Sequence, residues 1–211
     1  MTNDHRAALD QYRRRASVYD AELALFEPVR RRAVAALALD AGETVLDVGC
    51  GTGLSLPLLH TGVGAQGCIV GIEQSPEMIA LAHKRVQQHG WHNVALQNVP
   101  VEAARIRRPA DAALFHFTHD ILRDRPALAH VLASLRPGAR VVASGLQWAG
   151  VWAWPLNLLV LPAALRSVTS LEGLQRPWSH LATLVRIEHV ESVMGGTVYV
   201  ARGVMADAPQ H

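Results

Sequence analysis

Between residues 44 and 145 the sequence alternates five times between a short apolar run and a helical segment. Short and nearly continuous apolar runs are typical of parallel strands that are covered on both faces. With helices between them and short links, they predict an α/β fold, a doubly wound and mostly parallel Rossmann-like sheet. The five predicted strands are TVLDV (44–48), CIVGI (68–72), NVALQNV (93–99), ADAALFHF (110–117) and ARVVASG (139–145).

Residues typical of helix ends support this pattern. Ser75 and Gly90 bracket the segment PEMIALAHKRVQQH as its N-cap and its C-terminal stop, and Asp124 precedes ALAHVLASL. The turn Pro137-Gly138 ends that second segment and precedes strand five.

Helical segments are predicted before the first strand, and an antiparallel strand pair near the end of the chain. Residues 1–40 have helical spacing, and a second helix is expected from Pro28 through VRRRAVAALAL. Near the end, LVRIEHVESV and GGTVYVARG are predicted to form two strands around a turn at Gly195-Gly196, an antiparallel hairpin at the sheet edge.

Composition limits the class of protein. The chain has 211 residues, 50% of them hydrophobic, with a formal net charge of +2, which suits one globular domain and argues against disorder or a basic nucleic-acid face. Two cysteines, Cys50 and Cys68, cannot form a disulfide scaffold. The start MTNDHRAALDQYRRR lacks the apolar segment of a signal peptide, so we expect a cytoplasmic protein. Because the charge is balanced, we expect it to bind no nucleic acid.

A glycine-rich loop follows the first strand. Gly49, Gly51 and Gly53 open a helix, and glycine lets a ligand approach the backbone and the free amides of a helix start. Dinucleotide loops have the spacing G-x-G-x-x-G, but Leu54 stands where the last glycine would be. Glu73 ends the second strand, where a carboxylate can accept hydrogen bonds from both ribose hydroxyls.

Three segments resemble the class I S-adenosylmethionine-dependent methyltransferases. VLDVGCGTG (45–53) is similar to the first motif of that family, GIEQSPEMIALAHKRV (71–86) to its second strand and helix, and LRPGARVV (135–142) to its turn before strand five. The resemblance covers about residues 12–145, and the hairpin fits the last two strands of its seven-stranded sheet. It implies one domain over 1–211, with a helical cap (1–40), a cofactor-binding core (44–145), an apolar insertion (146–180) and a strand pair (181–205).

The resemblance implies S-adenosylmethionine as cofactor. The loop Gly49–Gly53 would lie along its methionine portion and ribose, and Glu73 would bind the ribose. Gln74 and Met78 would lie against the adenine, or Met78 is a core residue. Asp47 would orient the loop or reach the cofactor's ammonium through water, or it is a buried acid satisfied by loop amides. The implied cofactor residues are Tyr19, Asp47, Gly49, Gly51, Gly53, Glu73, Gln74, Met78, Val101, Glu102, Phe115 and His116.

The sequence departs from the family after strand three. The family usually has an aspartate there that bonds the adenine amino group, but Pro100 occupies that position. The amide of Val101 would still meet an adenine nitrogen, and either Glu102 or Asn98 would replace the missing acceptor. A solvated Glu102 on a short helix is the alternative interpretation.

The end of strand four supplies groups for the methyl acceptor. His119 and Asp120 would face that molecule, and an imidazole titrating near ~6.5 can act as a general base at neutral pH. Alternatively, His119 caps the next helix or lies in the pocket wall. No further spaced ligand accompanies His116, His119 and Asp120, so we predict no metal site. Methyl transfer needs mainly alignment of the reacting atoms and exclusion of water.

Residues 146–165 form a 20-residue stretch without charge. Pro155 and Pro162 argue against a transmembrane helix, so Trp148 and Trp152 are expected to line an acceptor pocket or lid. A membrane interface, a subunit face or extra core are the alternatives. Tyr12 and Tyr19 lie seven residues apart, as in an N-terminal helix that closes over the site, and otherwise form an aromatic stripe on the core.

The sequence therefore predicts an enzyme that methylates a small, hydrophobic acceptor such as a secondary metabolite, a quinone or a lipid head group. A homodimer and peripheral membrane contact are both compatible with it. The alternatives are an NAD-binding oxidoreductase and an inactive S-adenosylmethionine-binding regulatory protein. Arg13–Arg15 and Arg30–Arg32 are interpreted as solvated faces, and the alternative is that they bind an acidic head group if the acceptor is a lipid.

Overall fold

The computed structural model describes residues 25–148 and 174–206. Tyr12, Tyr19, Trp152 and most of the uncharged stretch therefore lie outside the described residues. The strands are β1 (Thr44–Val48), β2 (Cys68–Ile72), β3 (Val94–Gln97), β4 (Ala110–His116), β5 (Leu135–Leu146), β6 (Arg186–Val193) and β7 (Val198–Val204). The helices are α1 (Glu27–Ala36), α2 (Leu56–Val63), α3 (Pro76–His89), α4 (His119–Arg123) and α5 (Arg125–Ala133).

The seven strands form one sheet in the order β3-β2-β1-β4-β5-β7-β6. Strands β1 to β5 pair in parallel, whereas β7 lies antiparallel between β5 and β6. This confirms the predicted α/β sheet and its C-terminal hairpin. The strand order reverses between β1 and β4, and ligands of open α/β sheets bind beyond the carboxyl ends of the strands at such a point.

Alternating side chains of the central strands supply two apolar cores, one on each face of the sheet. On β1, Val45 belongs to one core and Leu46 to the other, and Leu114 and Phe115 divide in the same way on β4. All four are fully buried, as expected for strands that helices cover on both faces. The central strands are thus fixed on both sides, which holds their carboxyl ends in place.

The predicted helix signals work through the expected contacts. The Ser75 hydroxyl accepts a hydrogen bond from the Met78 amide at 3.3 Å at the start of α3, and Gly90 ends that helix in the left-handed conformation. At the start of α5, the Asp124 carboxylate accepts from the Ala127 amide at 3.2 Å. The boundaries of α3 and the start of α5 are therefore encoded locally.

Strand β5 begins earlier than predicted. The Pro137-Gly138 turn lies within it as an irregularity, because Leu135 already pairs with Ala110 before regular pairing resumes at Arg140. Gly138, at φ 73°, permits this local detour. The sequence predicted a turn at Pro137-Gly138 before strand five, whereas the structure includes both residues in β5.

Within the described ranges, no helix combines the length and the apolar character needed to cross a membrane.

Candidate functional site

A cleft of about 470 Å³ opens at the carboxyl ends of β1, β2 and β4. The loop after β1, the end of β2, the short turn after β3 and the segment between β4 and α4 form its walls. It therefore occupies the position that strand order alone assigns to a ligand. Nine of the residues predicted to bind the cofactor line it: Asp47, Gly49, Gly51, Glu73, Gln74, Met78, Val101, Glu102 and His116. Gly53 belongs to the same loop, directly after Thr52, but does not line the cleft.

The glycine loop is anchored to β2. The amides of Gly49 and Cys50 both donate to the carbonyl of Ile72, at 2.8 and 3.0 Å. A Cβ at Gly49 would lie 2.5 Å from the Thr118 side chain, so that glycine permits close packing on the segment after β4. A Cβ at Gly51, at φ +56°, would meet nothing within 4 Å and would project into open space. Gly51 thus leaves room beside the loop for a ligand.

Glu73 joins the two halves of this wall. Its carboxylate accepts from the Gly51 amide at 3.1 Å through one oxygen and from the Ser75 amide at 2.8 Å through the other. A carboxylate offers about four acceptor positions, so it can hold both amides and still accept from two hydroxyl groups. The Asn98 side chain donates to the carbonyls of Glu73 and Gln74, at 2.9 and 3.0 Å, and so braces this strand end from β3.

Asp47 lies at the bottom of the cleft, with only 2% of its surface exposed. Burial raises the pKa of its carboxyl group to about 7, with Arg30 opposing and Glu73 reinforcing the shift. Its Oδ2 atom is buried and has no hydrogen-bond partner among the described residues. This carboxyl group is therefore not the fully satisfied loop acid of the alternative interpretation.

Arg30 corrects the prediction that Arg30–Arg32 form a solvated face. Arg31 and Arg32 are exposed, but Arg30 is 3% exposed, lines the cleft and pairs with Glu27. Helical spacing places it on the buried face with Ala33 and Leu37. That periodicity was the sequence signal that would have identified Arg30, because a charge at an apolar-face position is unusual.

The side of the cleft that was predicted to hold the adenine has few buried polar groups. Gln74 and Glu102 line it but are exposed, whereas Met78 is half-buried and Val101 is buried at the start of a short turn after Pro100. Asn98 supports the loop instead of lining the cleft. Among the two side chains considered as substitutes for the missing aspartate, Glu102 is the one that the structure places at the cleft.

Phe115 was wrongly placed among the cofactor residues. Its side chain is fully buried in one of the two cores, because successive side chains of β4 point to opposite faces of the sheet. Phe117 lines the cleft instead and adopts φ 58°, an uncommon conformation for a bulky residue. Its amide donates to the Ser144 carbonyl at 2.7 Å, so β5 holds this turn in place.

His116 and His119 both line the cleft. The Nδ1 atom of His116 lies 2.7 Å from the Ser144 hydroxyl, and burial together with Arg30 lowers the pKa of His116 to about 3. His119 is the first residue of α4 and is 8% exposed, and the exposed Asp120 follows it. Thr118 holds the N-cap position of α4, so His119 is a residue of the pocket wall and not the cap.

Trp148, predicted to contact the acceptor, does not line the cleft that the described residues form. It packs against the apolar core on the α1 side of the sheet, and its amide donates to the Leu174 carbonyl at 2.9 Å. The strand β5 continues through Leu146, which carries Trp148 past the cleft. Tyr12, Tyr19 and Trp152 fall outside the described residues.

A family model and several relatives of known activity connect this sequence with methyltransferases. Residues 39–146 match the family model of a methyltransferase domain. The aklanonic acid methyltransferase of Streptomyces sp. (strain C5) is 39% identical over 88 residues, 41% of this chain and 40% of that protein. The nocamycin O-methyltransferase of Saccharothrix syringae is 28% identical over 199 residues, 92% of this chain and 68% of that protein.

The fold is also that of known methyltransferases. The crystal structure of a SAM-dependent methyltransferase from Aquifex aeolicus superposes with a TM-score of 0.62 at 22% identity, covering 88% of this chain and 93% of that one. The family model spans just over half of the 211 residues and includes the loop, Glu73 and the end of β4. The chain therefore belongs to the class I S-adenosylmethionine-dependent methyltransferases, the family that its motifs resemble.

Proposed function

We propose that this protein transfers the methyl group of S-adenosylmethionine to a small, hydrophobic acceptor, such as a secondary metabolite, a quinone or a lipid head group. The observation that carries the proposal is the pairing of Gly51 with Glu73 across the cleft wall. Gly51 leaves open space beside the loop, and Glu73 presents a carboxylate at the end of β2. A nucleoside with a ribose diol fits both features.

The residues present suit this cofactor. Glu73 would hold the ribose hydroxyls, the loop Gly49–Gly53 would lie along the ribose and methionine portions, and Gln74 and Met78 would contact the adenine. When bound, S-adenosylmethionine supplies an electrophilic methyl group on a sulfonium whose leaving group is neutral. The chain's own task is to bind both molecules, align them and keep water from the reacting atoms.

The charge of the cleft supports a cationic ligand. Five carboxylate side chains line it against a single arginine among the described residues, although the whole chain carries a net charge of +2. Such an excess of negative charge in a cleft attracts cations. The carboxylates are Asp47, Glu73, Glu102, Asp120 and Asp124.

The acceptor would lie beyond the end of β4, against His119 and Asp120. His119 is our candidate general base for acceptors whose nucleophile must lose a proton. Tyr12, Tyr19 and Trp152, which lie outside the described residues, remain candidates for closing or extending this side. Two relatives are named as an aklanonic acid methyltransferase and a nocamycin O-methyltransferase, which supports a small-molecule acceptor of the secondary-metabolite class.

Calorimetry with S-adenosylhomocysteine and with NAD tests the cofactor directly. We expect the purified protein to bind S-adenosylhomocysteine and not NAD, and tighter binding of NAD would refute the proposal. A methylation assay over phenolic, quinol and aminolipid acceptors then tests turnover. Cofactor binding without turnover on any acceptor would favour the regulatory alternative, which the Pro100 departure motivates.

We expect Glu73→Ala to weaken S-adenosylhomocysteine binding by about 1.5–3 kcal/mol, the range for hydrogen bonds to a charged group. The variant loses the ribose acceptor and also frees the Gly51 and Ser75 amides. Glu73→Gln keeps one side-chain oxygen and should lose less. Isothermal calorimetry, paired with denaturant unfolding, separates lost binding from a disturbed loop.

Glu77→Gln is the matched control, because Glu77 lies in the first turn of the adjacent α3 but does not line the cleft. We expect its affinity for S-adenosylhomocysteine to match that of the unmodified protein. Equal affinities for Glu73→Ala and Glu77→Gln would exclude Glu73 as the ribose ligand.

A further inference from the structure

Phe117 directly follows β4 and has an unusual backbone. Its φ of 58° lies in the left-handed region, where the Cβ of an L residue is crowded and where glycine has no such cost. Three described residues other than glycine have a positive φ, and Phe117 is the bulkiest of them and the one that lines the cleft. A bulky side chain that is kept at a strained position indicates that the ring itself has a use.

The left-handed conformation changes the face of the sheet on which the Phe117 ring lies. In a regular strand, residues two apart point to the same face, so Phe117 would join Phe115. Phe115 is fully buried in the core on the α5 side, whereas Phe117 packs against the core on the α1 side. The Phe117 amide donates to the Ser144 carbonyl at 2.7 Å, which holds the turn in this form. The strained backbone therefore turns the ring away from the core of Phe115, and Phe117 lines the cleft.

Two aromatic neighbours fix the orientation of the Phe117 ring. It makes T-shaped contacts with Phe26, at 4.9 Å between centroids and 61° between planes, and with His116, at 4.7 Å and 89°. Phe117 is only partly buried, so part of its surface stays accessible. Among the described residues that line the cleft it is the one Phe, Tyr or Trp, and it precedes His119 by two residues. A fixed and partly accessible ring at this position offers the acceptor an aromatic contact.

We propose that Phe117 is a specificity-determining residue whose ring selects acceptors with a planar aromatic ring over saturated ones of similar size. The inference rests on the proposed function, because it names the class of acceptor, a phenol or a quinol. Aromatic rings form offset-stacked or edge-to-face contacts that add to the free energy of apolar burial. A saturated ring buries a similar apolar area but has no π-system, so this contact distinguishes the two.

Calorimetry on the protein loaded with S-adenosylhomocysteine measures this selectivity. The probes are phenol, 1-naphthol and 2-naphthol, each paired with its fully hydrogenated alcohol. We expect at least one planar member to bind about two- to tenfold more tightly than its hydrogenated partner, the range for an aromatic contact. Equal affinities within every pair, or no binding of any planar member, would overturn the proposal.

Phe117→Leu keeps an apolar side chain but removes the ring, so the preference for the planar member should fall towards one. Phe117→Tyr keeps the ring and should retain the preference. Trp91→Leu is the matched control, because Trp91 packs against the same core but does not line the cleft. A planar preference in Phe117→Leu as large as that in Trp91→Leu would contradict the proposal. Thermal unfolding checks that each variant is folded, and Phe117→Met replaces Phe117→Leu if the branched side chain is not tolerated.

A contact between the Phe117 ring and the cofactor would give a different result. S-adenosylmethionine carries a positive sulfonium that S-adenosylhomocysteine lacks, and an aromatic ring attracts a cation. If the ring met the sulfonium instead of the acceptor, Phe117→Leu would lower the affinity for S-adenosylmethionine relative to S-adenosylhomocysteine. The preference between planar and hydrogenated acceptors would stay unchanged, and this pair of results would also overturn the proposal.

These outcomes are distinct from a failure of the proposed function, because the paired alcohols can also be titrated without a nucleoside. A protein that binds neither nucleoside would refute S-adenosylmethionine as the cofactor. A planar preference that Phe117→Leu removes would still support the contact with the Phe117 ring.

Discussion

Gly51→Arg is expected to abolish S-adenosylhomocysteine binding, with a loss of more than about 100-fold, while the sheet stays folded. The side chain would project into the open space beside the loop, which the ligand is proposed to fill. At φ +56° the new residue also adopts a left-handed conformation, which costs roughly 1–2 kcal/mol of stability. Calorimetry measures the binding loss, and denaturant unfolding measures the stability loss separately.

Gly90→Arg is the matched control for backbone strain. Gly90 has φ +64°, a Cβ there also meets nothing within 4 Å, and it lies at the C-terminus of α3, away from the cleft. We expect the same order of stability loss and unchanged affinity. If Gly51→Arg binds S-adenosylhomocysteine as well as Gly90→Arg does, the space beside Gly51 is not the ligand site.

Most of the fold was predictable from the sequence, because its signals are local. The bounds of β1 and β2 were predicted correctly, since each is a single apolar run between turn residues. Ser75, Gly90 and Asp124 act at helix ends through bonds to neighbours a few residues away. By contrast, β5 was predicted too short, because its first residues pair across an irregularity that no local pattern reveals.

The site was predictable where a residue's position followed from a strand end. Glu73 and the glycine loop were located in this way, and the structure brings them together at the cleft. Phe115 was predicted to line the cleft together with His116, but successive side chains of a strand point to opposite faces, and Phe115 lies in a core while His116 lines the cleft. The alternation of side chains along a strand could be predicted from the sequence, but the residue at which the regular strand ends could not.

Contacts between distant residues left no trace in the sequence. The bond between His116 and Ser144 joins residues 28 positions apart on neighbouring strands, and depends on the register of β4 with β5. The position of Arg30, unlike these contacts, could be predicted from the sequence, because helical periodicity places it on the buried face of α1. The prediction of a solvated face followed the run of three consecutive arginines and did not take the helical periodicity into account.

The second large effect is expected from Asp47→Asn, which should stabilise the ligand-free protein at pH 8 by an amount on the order of 2–4 kcal/mol. Asp47 is almost fully buried, and the pKa of its carboxyl group is raised from 3.8 to about 7, mainly by burial. Asparagine has nearly the same shape and never ionises, so it avoids the cost of a buried negative charge.

The sign of the pH dependence follows from proton linkage. Between pH 3.8 and about 7 the unfolded chain has released this proton while the folded chain keeps it. The contribution of Asp47 to stability is therefore fully present below pH 3.8 and is lost as the pH rises through 7. Denaturant unfolding of both proteins at pH 5 and pH 8 should show a larger advantage of Asp47→Asn at pH 8.

The same substitution should weaken cofactor binding, which distinguishes a ligand group from a merely buried acid. A cationic ammonium beside Asp47 favours the ionised carboxylate, so binding near pH 7 should release protons and become tighter as the pH rises. Calorimetry in buffers of different ionisation enthalpy measures that release, and Asp47→Asn should abolish it. Proton release that persists in Asp47→Asn would show that another group titrates on binding. If Asp47→Asn is stabilised and still binds S-adenosylhomocysteine normally, Asp47 does not contact the ligand. Its carboxyl group would then be a buried acid that lowers stability without contributing to affinity.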